Sequence, residues 1–497
     1  MIKNIRNKVD KLTIEKRAFI NGSFVESVNG EIIKKVSPID GRDLSGICAC
    51  SAEDINKAVE AAKRSFESKI WRDKNPDKKK EVLFKLAELM EENREKLAIL
   101  DTIETGRAFK NYYYDSIPKA IKALRYFTES LDKYYDYAVP PRVDSCAVIT
   151  REPLGVIGII TPWNDPLVVA VWKFVPALLM GNSVIIKPAE QSSFSILEVA
   201  ALAKKAGIPD GVLNVVPGYG DIAGKALALH KDVTGIFFTG SSEVGKLILE
   251  YAGQSNMKKV GLECGGKSPF IISKNCKNLK KAAEVLAKNV FYNQGQICSA
   301  SSRVIVHNDL KARLINYLKL ESVKYMPNDP LDINSEVGCV VNKDQKNKIE
   351  KYIRQGVKSG ASLITPTPGE WFLAKKRMAV LPSIFTDVNL ESSINKEEIF
   401  GPVLVVIGFD TIKEAIDIAN NSKYGLAASI WTNDLDEAYY VSRELQAGIV
   451  HINSYGDDDN TIPFGGIKES GIGKDKSIFA FDEYSYLKTT WINFNNI

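Results

Sequence analysis

A chain of 497 residues is long enough for roughly three domains with ample core, so neither a structural metal nor a disulfide is needed to hold it together. Its 66 Lys and Arg exceed its 61 Asp and Glu by only five, and the basic residues are dispersed among acidic ones, which does not imply nucleic-acid binding. Seven cysteines, odd in number and scattered, do not form the disulfide framework of a small secreted protein and fit a reducing cytoplasm.

The N-terminus, Met1-Ile2-Lys3-Asn4-Ile5-Arg6, is basic but runs into Lys8, Asp10, Lys11 and Glu15 without an apolar signal core, so secretion is not expected. Residues 51 to 123 predict helices: Ala58, Ala61, Ala62 and Phe66 recur at helical spacing, as do Leu83, Leu86, Ala87 and Met90, and Ser51 with Asp54 forms a capping box. The most apolar region, Leu154 to Ile186, is interrupted by Asn164, Asp165, Lys173 and three prolines, which excludes a membrane span. It predicts strand, loop, helix, strand: Val156 to Ile160, Leu167 to Met180, Ser183 to Ile186. A helix from Ser195 to Ala206, strands at Val212 to Val216 and Ile236 to Thr239, and a helix from Ser242 continue the pattern, which describes a doubly wound parallel sheet. A second α/β alternation follows Gly266, with strands at Pro269 to Ile272, Arg303 to Val306 and Val403 to Ile407, and helices at Leu279 to Asn289 and Lys413 to Asn420. Two further strand-like stretches, Tyr137 to Thr150 and Tyr484 to Phe494, fit neither sheet.

Chemistry concentrates in a few segments. Cys298 ends Phe291-Tyr292-Asn293-Gln294-Gly295-Gln296-Ile297, a polar, turn-prone setting that suits an accessible thiol, whereas an inert cysteine is usually embedded among apolar residues. Glu263, 35 positions earlier, lies between the strand-like Lys259 to Leu262 and a Gly-Gly turn, where a carboxylate has the reach of a general base; an isolated glutamate would be a solvated surface group. Asn164 in Thr161-Pro162-Trp163-Asn164 is either a turn asparagine or a neutral donor to a developing oxyanion. Gly240 to Lys246 fits the first positions of a triphosphatase phosphate loop, but Leu247 stands where Ser or Thr must hold magnesium. The histidines, His230, His307 and His451, show no metal-ligand spacing, and Cys48-Ala49-Cys50 is too close for a zinc knuckle, so no metal is expected.

Together, the Leu262-Glu263-Cys264-Gly265-Gly266-Lys267, Glu397-Glu398-Ile399-Phe400-Gly401-Pro402 and Pro463-Phe464-Gly465-Gly466 strings and the Cys298 segment resemble the aldehyde dehydrogenase superfamily, from about Phe19 to Trp491. The resemblance implies an NAD-binding unit over 1–136 and 154–264, a catalytic unit over 265–478, and strands at 137–153 and 479–497 that join subunits into a homodimer or homotetramer. It implies Cys298 as nucleophile, Glu263 as base and Asn164 as oxyanion donor. The cofactor would meet Thr161, Pro162, Trp163, Lys187, Glu190, Gly220, Phe238, Gly240, Ser241, Gly265, Glu398 and Phe400. Lys187 and Glu190 would take the adenosine ribose, where a carboxylate repels a 2′-phosphate and favours NAD over NADP; Glu398 would bind the nicotinamide ribose. Cys264 replaces the family's more usual leucine.

The aldehyde would be lined by Asp165, Trp172, Tyr292, Ile297, Ser299, Asp457, Asp458 and Phe464. Acidic and aromatic groups coexist there, so an amino-bearing aldehyde is expected, attracted by charge and aromatic faces. Asp165 replaces an aromatic residue common in the superfamily, which argues against a full cage for a trimethylammonium group. The segment from Asn164 to Lys187 and Asp475-Lys476-Ser477 look most like the γ-glutamyl-γ-aminobutyraldehyde dehydrogenases of putrescine breakdown. The competing readings are a broad-specificity or betaine-type enzyme and an idle structural homologue, which would lack nucleophile or base.

Overall fold

The computed structural model describes residues 5–365, 378–456 and 459–494. Runs of branched apolar residues at Val156–Ile160, Ser183–Lys187 and Leu213–Val215 are buried throughout, as strands covered on both faces must be. With Gly235–Gly240 and Lys259–Cys264 they form the parallel centre of an eight-stranded sheet. Its edges are antiparallel: Ala18–Ile20 with Ser23–Val25 on one side, and Gly471–Ile472, from near the chain's end, on the other. The intervening helix Pro166–Leu179 buries every residue except Trp172.

A second, seven-stranded sheet has the order Ser362–Thr365, Ser383–Thr386, Val403–Phe409, Arg303–His307, Pro269–Ile272, Ala427–Trp431, Ile449–Ile452. All neighbours are parallel but the first pair. The capping box at Ser51 is present and starts the helix Ala52–Glu67. The two unassigned stretches pair with each other: Ser485–Asn493 lies antiparallel to Ser145–Pro153, whose other edge carries Tyr137–Ala138. Among the described residues no helix is long and apolar enough to cross a membrane.

In the eight-stranded sheet, strands end where chemically interesting segments begin. Lys187 closes one strand, Gly240 another, and Cys264 a third, so the loops that follow gather at one sheet edge, the place where doubly wound sheets bind ligands.

Candidate active site

The Cys298 loop is shaped by its backbone. After the helix Leu279–Phe291, Asn293, Gln294 and Gly295 all take left-handed φ values of 50°, 57° and 67°. Gly295 is required here, because a Cβ would sit 2.2 Å from the Gly401 carbonyl oxygen. The buried side chains of Gln294 and Gln296 then pin the loop: their carbonyl oxygens accept from Val380 N at 2.7 Å and Val341 N at 3.0 Å. Asn164 Nδ2 donates to the Gln296 carbonyl at 3.2 Å, which ties Asn164 to the turn that delivers Cys298 and leaves its second N–H uncommitted to that bond. The Cys298 thiol is pushed up to about 12, mainly by desolvation and further by the charges of Glu263 and Glu398.

Glu263 lies inside the strand Lys259–Cys264, opposite Thr239 and Gly471, and not between strand and turn as its neighbours predicted. It is 6% exposed, and neither carboxylate oxygen has a hydrogen-bond partner among the described residues. Burial, followed by the charge of Asp475, holds its carboxyl well above the ordinary range, while Lys173 and Lys474 oppose the shift. Gly465 leaves room for it: a Cβ there would stand 2.3 Å from Glu263 Oε1. Beside this group is a buried ion pair that motif reading missed, Lys173 Nζ to Asp475 Oδ2 at 2.7 Å. The available signal was a lysine inside an otherwise apolar helix, a position tenable only with a buried acid facing it.

The residues expected at the cofactor fall into three groups. Lys187 Nζ and Gly220 N both donate to Glu190 Oε1, at 2.8 and 2.6 Å, and burial pulls the Lys187 ammonium down against that pairing. Ser241 caps the helix Ser242–Ser255, accepting from Val244 N at 3.3 Å, while Phe238 and Gly240 belong to the preceding strand. Glu398 accepts from Gly266 N at 3.1 Å, and its carboxylate fills the space a side chain at Gly265 would need. Burial raises Glu398 to about 7, opposed by that N–H. Phe400, at φ 56°, meets Trp163 edge to face at 5.3 Å. Thr161 N donates to the Lys187 carbonyl, and the Pro162 carbonyl accepts from Ser192 Oγ, so this loop is tied to the ribose-side group.

On the substrate side, Asp165, expected to attract an ammonium group, already has partners within the chain. Asp165 Oδ2 is 3.2 Å from Arg107 Nη1 and also accepts from Ser116 Oγ. Arg107, 4% exposed, donates to Tyr292 Oη at 3.2 Å and lies over the Tyr112 and Tyr292 rings. No sequence signal distinguished this arginine. Trp172 and Phe464 are in contact at 5.5 Å between centroids. Ile297 and Ser299 flank Cys298, half-buried, and the Ser299 carbonyl accepts from Tyr455 Oη at 2.6 Å. Asp457 and Asp458 lie outside the described residues. Asp459 is turned into its own loop, accepting from Thr461 N and Oγ1.

A thiol, a buried carboxylate with no hydrogen-bond partner among the described residues and an amide donor thus meet beyond the strand ends of a doubly wound sheet. The aldehyde dehydrogenase family model matches residues 24–490, and the chain belongs to that family. It is 43% identical over 488 residues to the NADP/NAD-dependent aldehyde dehydrogenase PuuC of Escherichia coli (strain K12), covering 98% of each chain. It is 40% identical over 489 residues to an aminoacetaldehyde dehydrogenase of Pseudomonas aeruginosa, covering 97% of this chain and 96% of that protein. The crystal structure of a γ-glutamyl-γ-aminobutyraldehyde dehydrogenase from Burkholderia cenocepacia J2315 superposes with a TM-score of 0.95 at 43% identity, covering 99% of both chains.

Proposed function

We propose that the protein oxidises an aldehyde to its carboxylic acid with a nicotinamide dinucleotide, through a thiohemiacetal and then a thioester on Cys298. The observation that carries this reading is the grouping at the thiol. Asn164 is hydrogen-bonded into the Cys298 loop, and the buried, unpartnered Glu263 is close enough for its charge to raise the Cys298 thiol.

A thiol resting in its neutral form needs a proton acceptor before it can add to a carbonyl. Glu263, whose carboxyl burial holds well above the ordinary range, suits that task and the later activation of water for thioester hydrolysis. The Lys173–Asp475 pair sets the field in which that carboxylate gains and loses its proton. The uncommitted Asn164 N–H steadies the oxyanion as the carbonyl carbon becomes tetrahedral.

The residues present fit a dinucleotide: a ribose-binding carboxylate at Glu190 beside Gly220, the open N-terminus of the Ser242–Ser255 helix for the pyrophosphate, and Glu398 with the Trp163–Phe400 pair at the far end. When bound it supplies the hydride acceptor. Glu190 favours NAD over NADP. Thr161, Pro162, Lys187, Phe238, Gly240, Ser241 and Gly265 complete this half.

The substrate is an amino-bearing aldehyde of the kind that the P. aeruginosa and B. cenocepacia relatives are named for, such as γ-glutamyl-γ-aminobutyraldehyde in putrescine degradation. Asp165, Trp172, Tyr292, Ile297, Ser299 and Phe464 line its approach. The chain works as two α/β units, 1–136 with 154–264 and 265–478, joined into dimers or tetramers through 137–153 and 479–497. Seven cysteines, odd in number and scattered along the chain, suit a reducing cytoplasm.

The test is a panel of aldehydes with NAD and NADP, read as reduced nicotinamide. Wild type should turn over, and Cys298→Ser should lose at least about 10³-fold in kcat. Glu263→Gln, which loses the base for both steps, should slow the first equivalent of reduced cofactor as well as steady turnover, the latter down roughly 10²- to 10⁴-fold. Full steady turnover by either variant would refute these assignments.

A further inference from the structure

The segment carrying Asn164 and the turn carrying Cys298 are both held by one buried side chain from a third part of the chain. Arg107 Nη1 lies 3.2 Å from Asp165 Oδ2, next in sequence to Asn164, and Arg107 Nη2 donates to Tyr292 Oη at 3.2 Å, where the turn leading to Cys298 begins. The guanidinium lies over the Tyr112 and Tyr292 rings, 4.9 and 5.2 Å from their centroids, and Asp115 Oδ2 stands 3.7 Å from Nη2. Asp165 occupies the N-cap position of the helix Pro166–Leu179, where an aspartate ordinarily accepts from N–H groups of the first turn. Here it makes no such bond, and its carboxylate faces Arg107 and Ser116 instead. The root of the arginine is fixed as well. Gly106, at φ 76°, ends the helix Arg94–Thr105; its carbonyl accepts from Cys339 N at 2.6 Å, and the Cys339 carbonyl accepts from Gln296 Nε2 at 3.5 Å within the Cys298 turn.

An oxyanion donor works only if its N–H points at the oxygen of the carbon that the sulfur attacks, and a misplacement of about 1 Å costs on the order of 10²-fold in rate. The single bond from Asn164 Nδ2 to the Gln296 carbonyl, 3.2 Å long, lets the amide swivel about that contact. A second tie one residue further on removes this freedom, and a planar guanidinium with two arms in a fixed fork is the side chain that can supply it. We propose that Arg107 is a positioning residue: it clamps Asp165 to Tyr292 and so holds the Asn164 amide in register with the Cys298 sulfur. It acts through Asn164 and takes no part in bond making. This rests on the aldehyde dehydrogenase reading, in which Asn164 steadies the oxyanion.

The experiment is a double-mutant cycle between Arg107→Met and Asn164→Ala in the whole chain, read as a single turnover with enzyme in excess of NAD, so that slow variants still give a rate. Butanal and N-acetyl-3-aminopropanal, at saturation, are the substrates; both are uncharged and do not sense the change of partner at Asp165. Asn164→Ala alone should slow the appearance of reduced nicotinamide about 10²- to 10³-fold. Arg107→Met should slow it roughly tenfold or more in the wild-type background and less than about twofold in Asn164→Ala, where the clamp has nothing left to position. Alkylation of Cys298 by iodoacetamide is a displacement at saturated carbon that develops no oxyanion, so its rate in Arg107→Met should stay within about threefold of wild type, which a general loosening of the fold would not allow. Arg107→Lys keeps a cation for Asp165 without a second arm for Tyr292; the same cycle with this variant decides the matter if the methionine variant does not fold. Equal costs in the two backgrounds overturn the proposal, as do alkylation that falls in step with turnover and a raised aldehyde KM with the single-turnover rate unchanged. Absence of reduced nicotinamide from wild type with both aldehydes would instead count against the aldehyde dehydrogenase reading itself.

Discussion

Cys298, the proposed nucleophile, sits in surroundings that hold its proton on. Desolvation, with Glu263 and Glu398 adding negative field, sets the Cys298 thiol at about 12, against about 8.5 for a free cysteine. The sign matters in two ways. A raised thiol contributes stability that is complete below the unfolded value and is lost as pH climbs through the folded one. Its thiolate, the reactive form, grows tenfold per pH unit throughout that window. In the cofactor-free protein, the Cys298-specific rate of iodoacetamide alkylation, taken as wild type minus Cys298→Ser, should therefore climb about tenfold per unit from pH 7 to 10 without levelling. A plateau near pH 8.5 would show an ordinary thiol and would remove the need for a base in its activation. Arg107 makes a related point, since it converts Asp165 from a lure for ammonium groups into half of an ion pair.

Among the elements, the strand ends decide what each loop presents. Lys187 ends one strand and Glu190 follows three residues later, which lets Glu190 Oε1 collect both Lys187 Nζ and Gly220 N. A carboxylate so fixed repels a 2′-phosphate without having to move. Glu190→Gln should raise kcat/KM with NADP relative to NAD by roughly tenfold, about 1.4 kcal/mol; an unchanged ratio of the two would place cofactor choice elsewhere. The central strands around this group were legible because apolar runs of five or six residues bounded by Gly, Pro and Asn have few other solutions. Short edge strands such as Ala18–Ile20 were not, nor was the helix Lys343–Lys358, whose lysines conceal the buried Ile349 and Ile353. The candidate site divides in the same way. Cys298, Glu263 and Asn164 announce themselves in local strings, whereas Lys173 with Asp475 and Arg107 with Asp165 depend on partners 302 and 58 positions away that no local pattern encodes.

At the scale of the molecule, the three-stranded sheet stands out because it has little core of its own. Ser485–Asn493 is exposed at every position after Ser485, and Tyr486, Leu487, Trp491 and Ile492 place apolar side chains on both of its faces. A strand bare on both sides, with one edge unpaired among the described residues, is a surface that another chain would cover. That is the physical content of the proposed oligomer. The double variant Leu487→Lys, Trp491→Lys keeps the backbone pairing to Ser145–Pro153 but brings four like charges into any interface between two copies. Light scattering after gel filtration should then report the mass of a single chain where wild type reports a multiple of it. The thermal midpoint should fall by several degrees, because the assembly no longer favours the folded state by mass action. Wild-type mass in the double variant would mean that the subunits meet through another face, and the bare strand would then need a different occupant.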